Sequence, residues 1–129
     1  MNVLTFDIED WFHILELKET SDISKWDSYE SRVENITLKI IDFLEQQNLK
    51  ATFFILGWIA KKNTSLVKKI YKNGHDIGTH SFYHKLIKDM SVKEFKEDLR
   101  DSINILSDII GDKINFYRAP GFSFNFSQN

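Results

Sequence analysis

Three carboxylates stand together near the start of the chain, in Asp7-Ile8-Glu9-Asp10. Acids this close repel one another unless water or a cation relieves them. One of them can bind a hard or borderline metal while another serves as a general base. Two imidazoles follow at a spacing of four, in His80-Ser81-Phe82-Tyr83-His84. On one helical turn such a pair points the same way and reaches a single ion. Histidine plus carboxylate ligands with an open position is the pattern of a catalytic rather than a structural metal site. The chain has no cysteine, so there is neither a disulfide nor a thiolate zinc site, and any metal must be held by His, Asp and Glu. A third feature is Arg118-Ala119-Pro120-Gly121. A guanidinium can clamp a carboxylate bidentately and so orient a base such as Asp7. Pro120 sets the local turn, and the Gly121 backbone N–H can face an oxyanion. Taken singly, each feature has a plainer reading: a solvated acidic loop, structural histidines, a surface ion pair. His75, following Gly74, reads as structural; His13 reads as a loop or surface residue close to the acids.

The elements that must position these residues alternate strand and helix. Val3 to Asp7 is a short apolar run ending in acids, which suits a buried strand. Val33, Ile36, Ile40, Phe43 and Leu44 recur at helical spacing, so Ser31 to Gln47 is predicted helical. Ala51 to Leu56 is a second predicted strand, stopped by Gly57. Leu66 to Asn73 is a predicted helix closed by Gly74, and His75 to Thr79 a third strand. Ser91 and Glu94 make a capping box ahead of a helix to about Ile110, ended by Gly111. Asn115 to Arg118 is a predicted fourth strand. Strands alternating with helices imply an α/β fold with a parallel sheet, whose sites collect at the carboxyl ends of the strands. Asp7 to Asp10, His80 and Arg118 all sit where a predicted strand ends, and that shared position outweighs any one residue.

The 129 residues suffice for one domain with its own core. Hydrophobic content of 42% and charged content of 28% exclude disorder and a collagen-like chain. A net charge of −2 gives no basic footprint for nucleic acid. No apolar run approaches the ~20 residues of a membrane span, and the N-terminus lacks a signal-peptide pattern, so a cytoplasmic location is expected. Trp11, Phe12, Trp58, Phe82, Tyr83, Phe122, Phe124 and Phe126 form an aromatic-rich set near the loops of interest. Sugar rings stack on such faces, and Trp11 and Trp58 are the preferred candidates, although most aromatics at such positions pack a core or rim.

In order and spacing these segments resemble the polysaccharide deacetylase family, also called the NodB-homology or carbohydrate esterase family four fold. Thr5-Phe6-Asp7-Ile8-Glu9-Asp10-Trp11-Phe12-His13 is similar to its first motif, in a variant linked to exopolysaccharide loci. Ala51 to Trp58 resembles its second strand, Gly74 to His84 its His-Ser-x-x-His motif, and Phe116 to Gly121 its third motif. The resemblance implies a distorted (β/α) barrel that hydrolyses N-acetyl groups on a sugar or polysaccharide. It implies Asp7 as general base held by Arg118, with His80 and His84 on a divalent metal, most often zinc. Gly121 takes the position of the oxyanion N–H, where many relatives have Tyr. The commonest first motif has two adjacent aspartates, and here Ile8 takes the second place. Glu9 or Asp10 must therefore complete the metal site, and strand geometry alone leaves both open. Trp11, Trp58 and Pro120 are the expected substrate contacts.

Family members continue for roughly as many residues again after the third motif. Residues 1–129 are accordingly expected to be the N-terminal portion of a domain, about four parallel strands of a partial barrel. Such a piece would have an open edge suited to self-association, and weak or no activity alone. A different class of reading is a non-catalytic remnant that binds carbohydrate or a partner. The joint retention of Asp7, His80, His84 and Arg118 argues against it. A metal-dependent phosphatase or nuclease is disfavoured, because neither a second metal cluster nor a basic phosphate cradle is visible.

Overall fold

A computed structural model describes residues 2–124, and Phe126 lies outside them. Three strands, β1 (Thr5–Ile8), β2 (Thr52–Ile55) and β3 (Asp76–Thr79), form a parallel sheet in the order β1-β2-β3. Among the described residues four α-helices flank it: α1 (Val33–Gln46), α2 (Gly57–Lys62), α3 (Thr64–Lys72) and α4 (Val92–Ile110). This is the expected α/β class. The expected fourth strand is reduced to a single parallel bridge, Thr79 to Tyr117, carried by Thr79 N–H to Phe116 O and Arg118 N–H to Thr79 O.

The pleat divides the strand residues between two faces. Phe6, Ile8, Phe53, Ile55 and Ile77 face the helices and join a core with Ile41 and Leu44 of α1, Ile59 of α2, Val67 and Ile70 of α3, and Leu106 of α4. Burial of each such side chain contributes on the order of 1.5–3 kcal/mol. The other face carries Thr5, Asp7, Phe54 and Gly78, with Asp7, Phe54 and Gly78 in one register row. That row is built around the bulk of Phe54: a Cβ on Gly78 would lie 2.7 Å from its ring.

The helix ends follow local chemistry. Ser91 and Glu94 close the capping box of α4, and Gly111 ends it at φ 70°. The unexpected element is α2. Gly57 does end β2, as predicted, but it also opens a helix. Glycine is required there because a Cβ would sit 2.4 Å from Phe82 Cδ2. The Gly57 and Trp58 N–H groups donate to the Ser81 and Phe82 carbonyls at 2.9 and 3.1 Å. The Asp98 carboxylate of α4 accepts the Phe82 N–H at 3.0 Å. The loop after β3 is thereby pinned from two sides. Among the described residues, no helix is long and apolar enough to cross a membrane.

Candidate metal centre

The register sets Ile8, Ile55 and Thr79 level, so Glu9 and His80 leave the ends of β1 and β3, on either side of β2, at the same edge of the sheet. His80 and His84 do not share a helical turn, contrary to the spacing argument. Ser81 and His84 adopt positive φ, 73° and 56°, and the loop curls to bring the two rings within 5.0 Å. Glu9, His80 and His84 each place one ligand atom within 4.8 Å of the others.

Proton placement sharpens what this cluster can hold. His80 Nδ1 lies 2.7 Å from the Arg118 carbonyl, and His84 Nδ1 lies 2.8 Å from the His13 carbonyl. A carbonyl only accepts, so each ring carries its proton on Nδ1 and leaves the Nε2 lone pair free when neutral. His84 Nε2 stands 2.9 Å from Glu9 Oε2, and Oε2 is buried. Lone pairs therefore converge on one point, and only a proton or a cation relieves them. Ligands about 2 Å from a shared ion stand roughly 3 Å apart, which the Glu9–His84 separation already meets. Burial pushes His80 down, reinforced by His84 and opposed by the Arg118 carbonyl, Asp7 and Glu9. Burial raises Glu9, but once the rings are protonated the His84 hydrogen bond and the charges of His84, His80 and His13 bring it below its usual value. Neutral imidazole and ionised carboxylate are the forms a metal needs. The residues fit a divalent ion.

Beside the cluster, Asp7 Oδ1 accepts from Arg118 Nη1 at 2.7 Å, and Thr5 Oγ1 accepts from Nη2 at 2.9 Å. The guanidinium lies 4.1 Å from the Phe54 ring centroid. Gly78 thus makes room for Phe54, Phe54 supports Arg118, and Arg118 orients Asp7. Asp7 Oδ2 is 3.8 Å from His80 Nε2, too far for a hydrogen bond. A cavity of about 230 Å³ is lined by Asp7, Glu9, His80, His84, Arg118 and Gly121, with Phe122 on its rim, 82% exposed.

Several expected residues lie elsewhere. Asp10, one of two candidate metal ligands, is outside the cluster. Its buried carboxylate accepts from Trp11 N–H, the Ser31 hydroxyl, and the Arg32 and Val33 N–H groups that open α1. Trp58 packs edge-on against Phe12 and Trp26, while Trp11 donates from Nε1 to the Glu30 carbonyl and stacks near Tyr29. Neither lines the 230 Å³ cavity; Trp11 borders a neighbouring one on the α1 side of β1. Pro120 is buried at the start of a short 3-10 turn, with its neighbours Ala119 and Gly121 on the cavity wall. His75 is buried, and its Nδ1 accepts the Ala51 N–H. His13, read as a loop or surface residue, is buried too, and Trp26 joins its aromatic surround without having been singled out.

Residues 3–127 match the sequence profile of Polysaccharide deacetylase. The chain belongs to that family. Over 84 aligned residues it is 38% identical to a peptidoglycan-N-acetylglucosamine deacetylase of Bacillus cereus, covering 65% of this chain and 30% of that protein. Its fold is similar to the crystal structure of the Bc1960 peptidoglycan N-acetylglucosamine deacetylase, with a TM-score of 0.75 and 31% identity over 98% of this chain and 49% of that one. It is also similar to BA3943, a CE4 family pseudoenzyme from Bacillus anthracis, with a TM-score of 0.74 and 22% identity over 96% of this chain and 36% of that one. At that identity the likeness speaks for the fold alone, and a shared fold does not carry activity. The matches span less than half the length of each of these relatives.

Proposed function

We propose that this polysaccharide deacetylase family chain supplies the metal centre and general base for hydrolysis of N-acetyl groups on a carbohydrate polymer. The observation that carries the reading is the convergence of Glu9, His80 and His84 beside an arginine-held carboxylate, Asp7. Glu9, His80 and His84 hold the ion, and zinc suits this nitrogen and oxygen set. When bound, the metal supplies Lewis-acid polarisation of the acetyl carbonyl and lowers the pKa of a bound water.

The chain's own residues do the rest. Arg118 occupies Asp7 Oδ1 and leaves Oδ2 free to accept the proton of the attacking water. The Gly121 N–H, on the cavity wall, donates to the developing oxyanion. As the amide C–N bond breaks, the proton taken up by Asp7 is passed to the departing nitrogen, giving acetate and a free amine. Relatives named for peptidoglycan N-acetylglucosamine make an N-acetylglucosamine polymer the first substrate to try, while the Thr5–His13 motif favours an exopolysaccharide.

The test joins zinc stoichiometry to acetate release from an N-acetylated chitooligosaccharide. Near one equivalent of zinc is expected, lost in the His80→Ala/His84→Ala double variant. Whatever acetate release the wild-type chain supports should disappear in Asp7→Asn while zinc stays bound. Turnover that survives Asp7→Asn refutes the assignment of the base.

A further inference from the structure

Glu9 runs directly into a tight turn, Trp11–His13, and the last residue of that turn holds it shut. The Asp10 N–H donates to His13 Nδ1 at 2.8 Å, in a buried hydrogen bond. At the far side of the turn, the His13 carbonyl accepts from His84 Nδ1 at 2.8 Å. The residue is 3% exposed and its ring is wedged between Phe12, Trp26 and Trp58, with centroids 4.5, 4.3 and 5.3 Å away. It cannot swing out without displacing three aromatic side chains.

We infer that His13 is a positioning residue for the metal centre, setting both the backbone that carries Glu9 and the carbonyl that selects the His84 tautomer. The inference rests on reading Glu9 and His84 as ligands. The physical content is specific. A neutral imidazole has two tautomers, and the partner of one nitrogen decides which lone pair is offered by the other. The His13 carbonyl forces the His84 proton onto Nδ1 and frees Nε2. That carbonyl keeps its place because the His13 ring ties the turn back to Asp10. Ligand-orienting partners of this kind contribute about 10–100-fold to metal affinity. A plainer role, in which His13 only fills space among the aromatics, would depend on its volume and not on an acceptor at the Nδ1 position.

The experiment exploits that difference in the full 129-residue chain. His13→Asn puts an oxygen where Nδ1 sits, His13→Gln puts one nearer Nε2, and His13→Leu supplies none. Three readouts are taken: the His84 tautomer by long-range 15N NMR without metal, zinc affinity by chelator competition, and the visible absorption of the Co²⁺-loaded chain. Thermal unfolding is followed separately. His13→Asn is expected to keep the Nδ1–H tautomer, affinity and spectrum close to wild type, even with a lower Tm. His13→Gln and His13→Leu are expected to mix the tautomers, weaken zinc by about 10–100-fold and alter the Co²⁺ spectrum. If His13→Leu does not fold, the Asn and Gln pair decides. Wild-type behaviour in Gln and Leu overturns the inference, as does an Asn variant as impaired as Gln. A wild-type chain that binds no divalent metal overturns the functional reading; the metal-free tautomer measurement still decides the role of His13.

Discussion

Exchanging the roles of two adjacent acids gives the sharpest test of the site. Asp10 Oδ1 and Oδ2 accept from the N–H groups of Trp11, Arg32 and Val33 at 3.0–3.3 Å and from the Ser31 hydroxyl at 2.6 Å, with the residue 3% exposed. Asp10→Asn keeps the shape and one acceptor oxygen. It removes the charge and turns an N–H donor toward donors at the start of α1. Hydrogen bonds to charged groups are each worth about 1.5–3 kcal/mol and do not add fully, so we expect a combined loss of roughly 2–4 kcal/mol. At a urea m-value of about 1–3 kcal/mol/M, the midpoint should fall by about 1 M or more. Zinc affinity should change little, because the carboxylate points away from the cluster. Glu9→Gln should do the reverse. Glu9 Oε2 faces the His84 Nε2 lone pair at 2.9 Å, and a Gln amide N–H can donate there in its place, so stability should move by about 1 kcal/mol or less. Zinc affinity should collapse, because an amide is a poor ligand in place of a carboxylate. Urea unfolding in chelator and zinc competition, run on both variants, give the four numbers required. An Asp10→Asn chain that loses zinc at unchanged stability, with Glu9→Gln keeping it, would refute the assignment of the two acids.

Three further outcomes follow from the same geometry. Burial first, then the charge of His84, pushes His13 down to about 4, against the raising effects of Asp10 and Glu9. The unfolded chain therefore binds more protons below pH 6.5, and the His13 contribution is complete above 6.5 and lost as pH falls toward 4. Roughly 2 kcal/mol of it is lost by pH 5, at 1.36 kcal/mol per unit over about 1.5 units; a His13→Asn chain with the same pH 7-to-5 loss in urea unfolding would contradict it. Gly57→Ala gains about 1 kcal/mol of helix propensity but drives a Cβ into the Phe82 ring, so the 1–3 kcal/mol cost of overpacking should win. Zinc affinity should fall with it, as the His80–His84 loop shifts, and a chain more stable than wild type would count against the loop's being pinned there. Arg118→Lys cannot bridge Asp7 and Thr5 with one planar group, so acetate release should drop by at least about tenfold with zinc affinity nearly unchanged; equal turnover would remove Arg118 from the orienting role.

Much of this protein is legible in one dimension. Strand and helix periodicities, the Ser91–Glu94 capping box and Gly111 are local signals, and each is answered by a local structure except the fourth strand, which shrinks to one bridge. Because βα units place strand ends together, the acids, the histidines and Arg118 were grouped without a structure. The other decisions were made by contacts between residues far apart in the chain. Asp10 is drawn from the cluster by a hydroxyl and two N–H groups 21 to 23 residues away, and no property of Asp7-Ile8-Glu9-Asp10 records where α1 begins. The His-x-x-x-His spacing suggested a helix, but the strands' register, the N-terminus of α2 and Asp98 hold the loop in turns with positive φ instead. His13 looked like a surface residue because the rings that bury it come from residues 12, 26 and 58. The sequence determined which chemical groups are present and that they gather at one edge of a sheet. The tertiary structure decided which carboxylate faces the histidines, because side-chain direction there is set by hydrogen bonds and packing that span the chain.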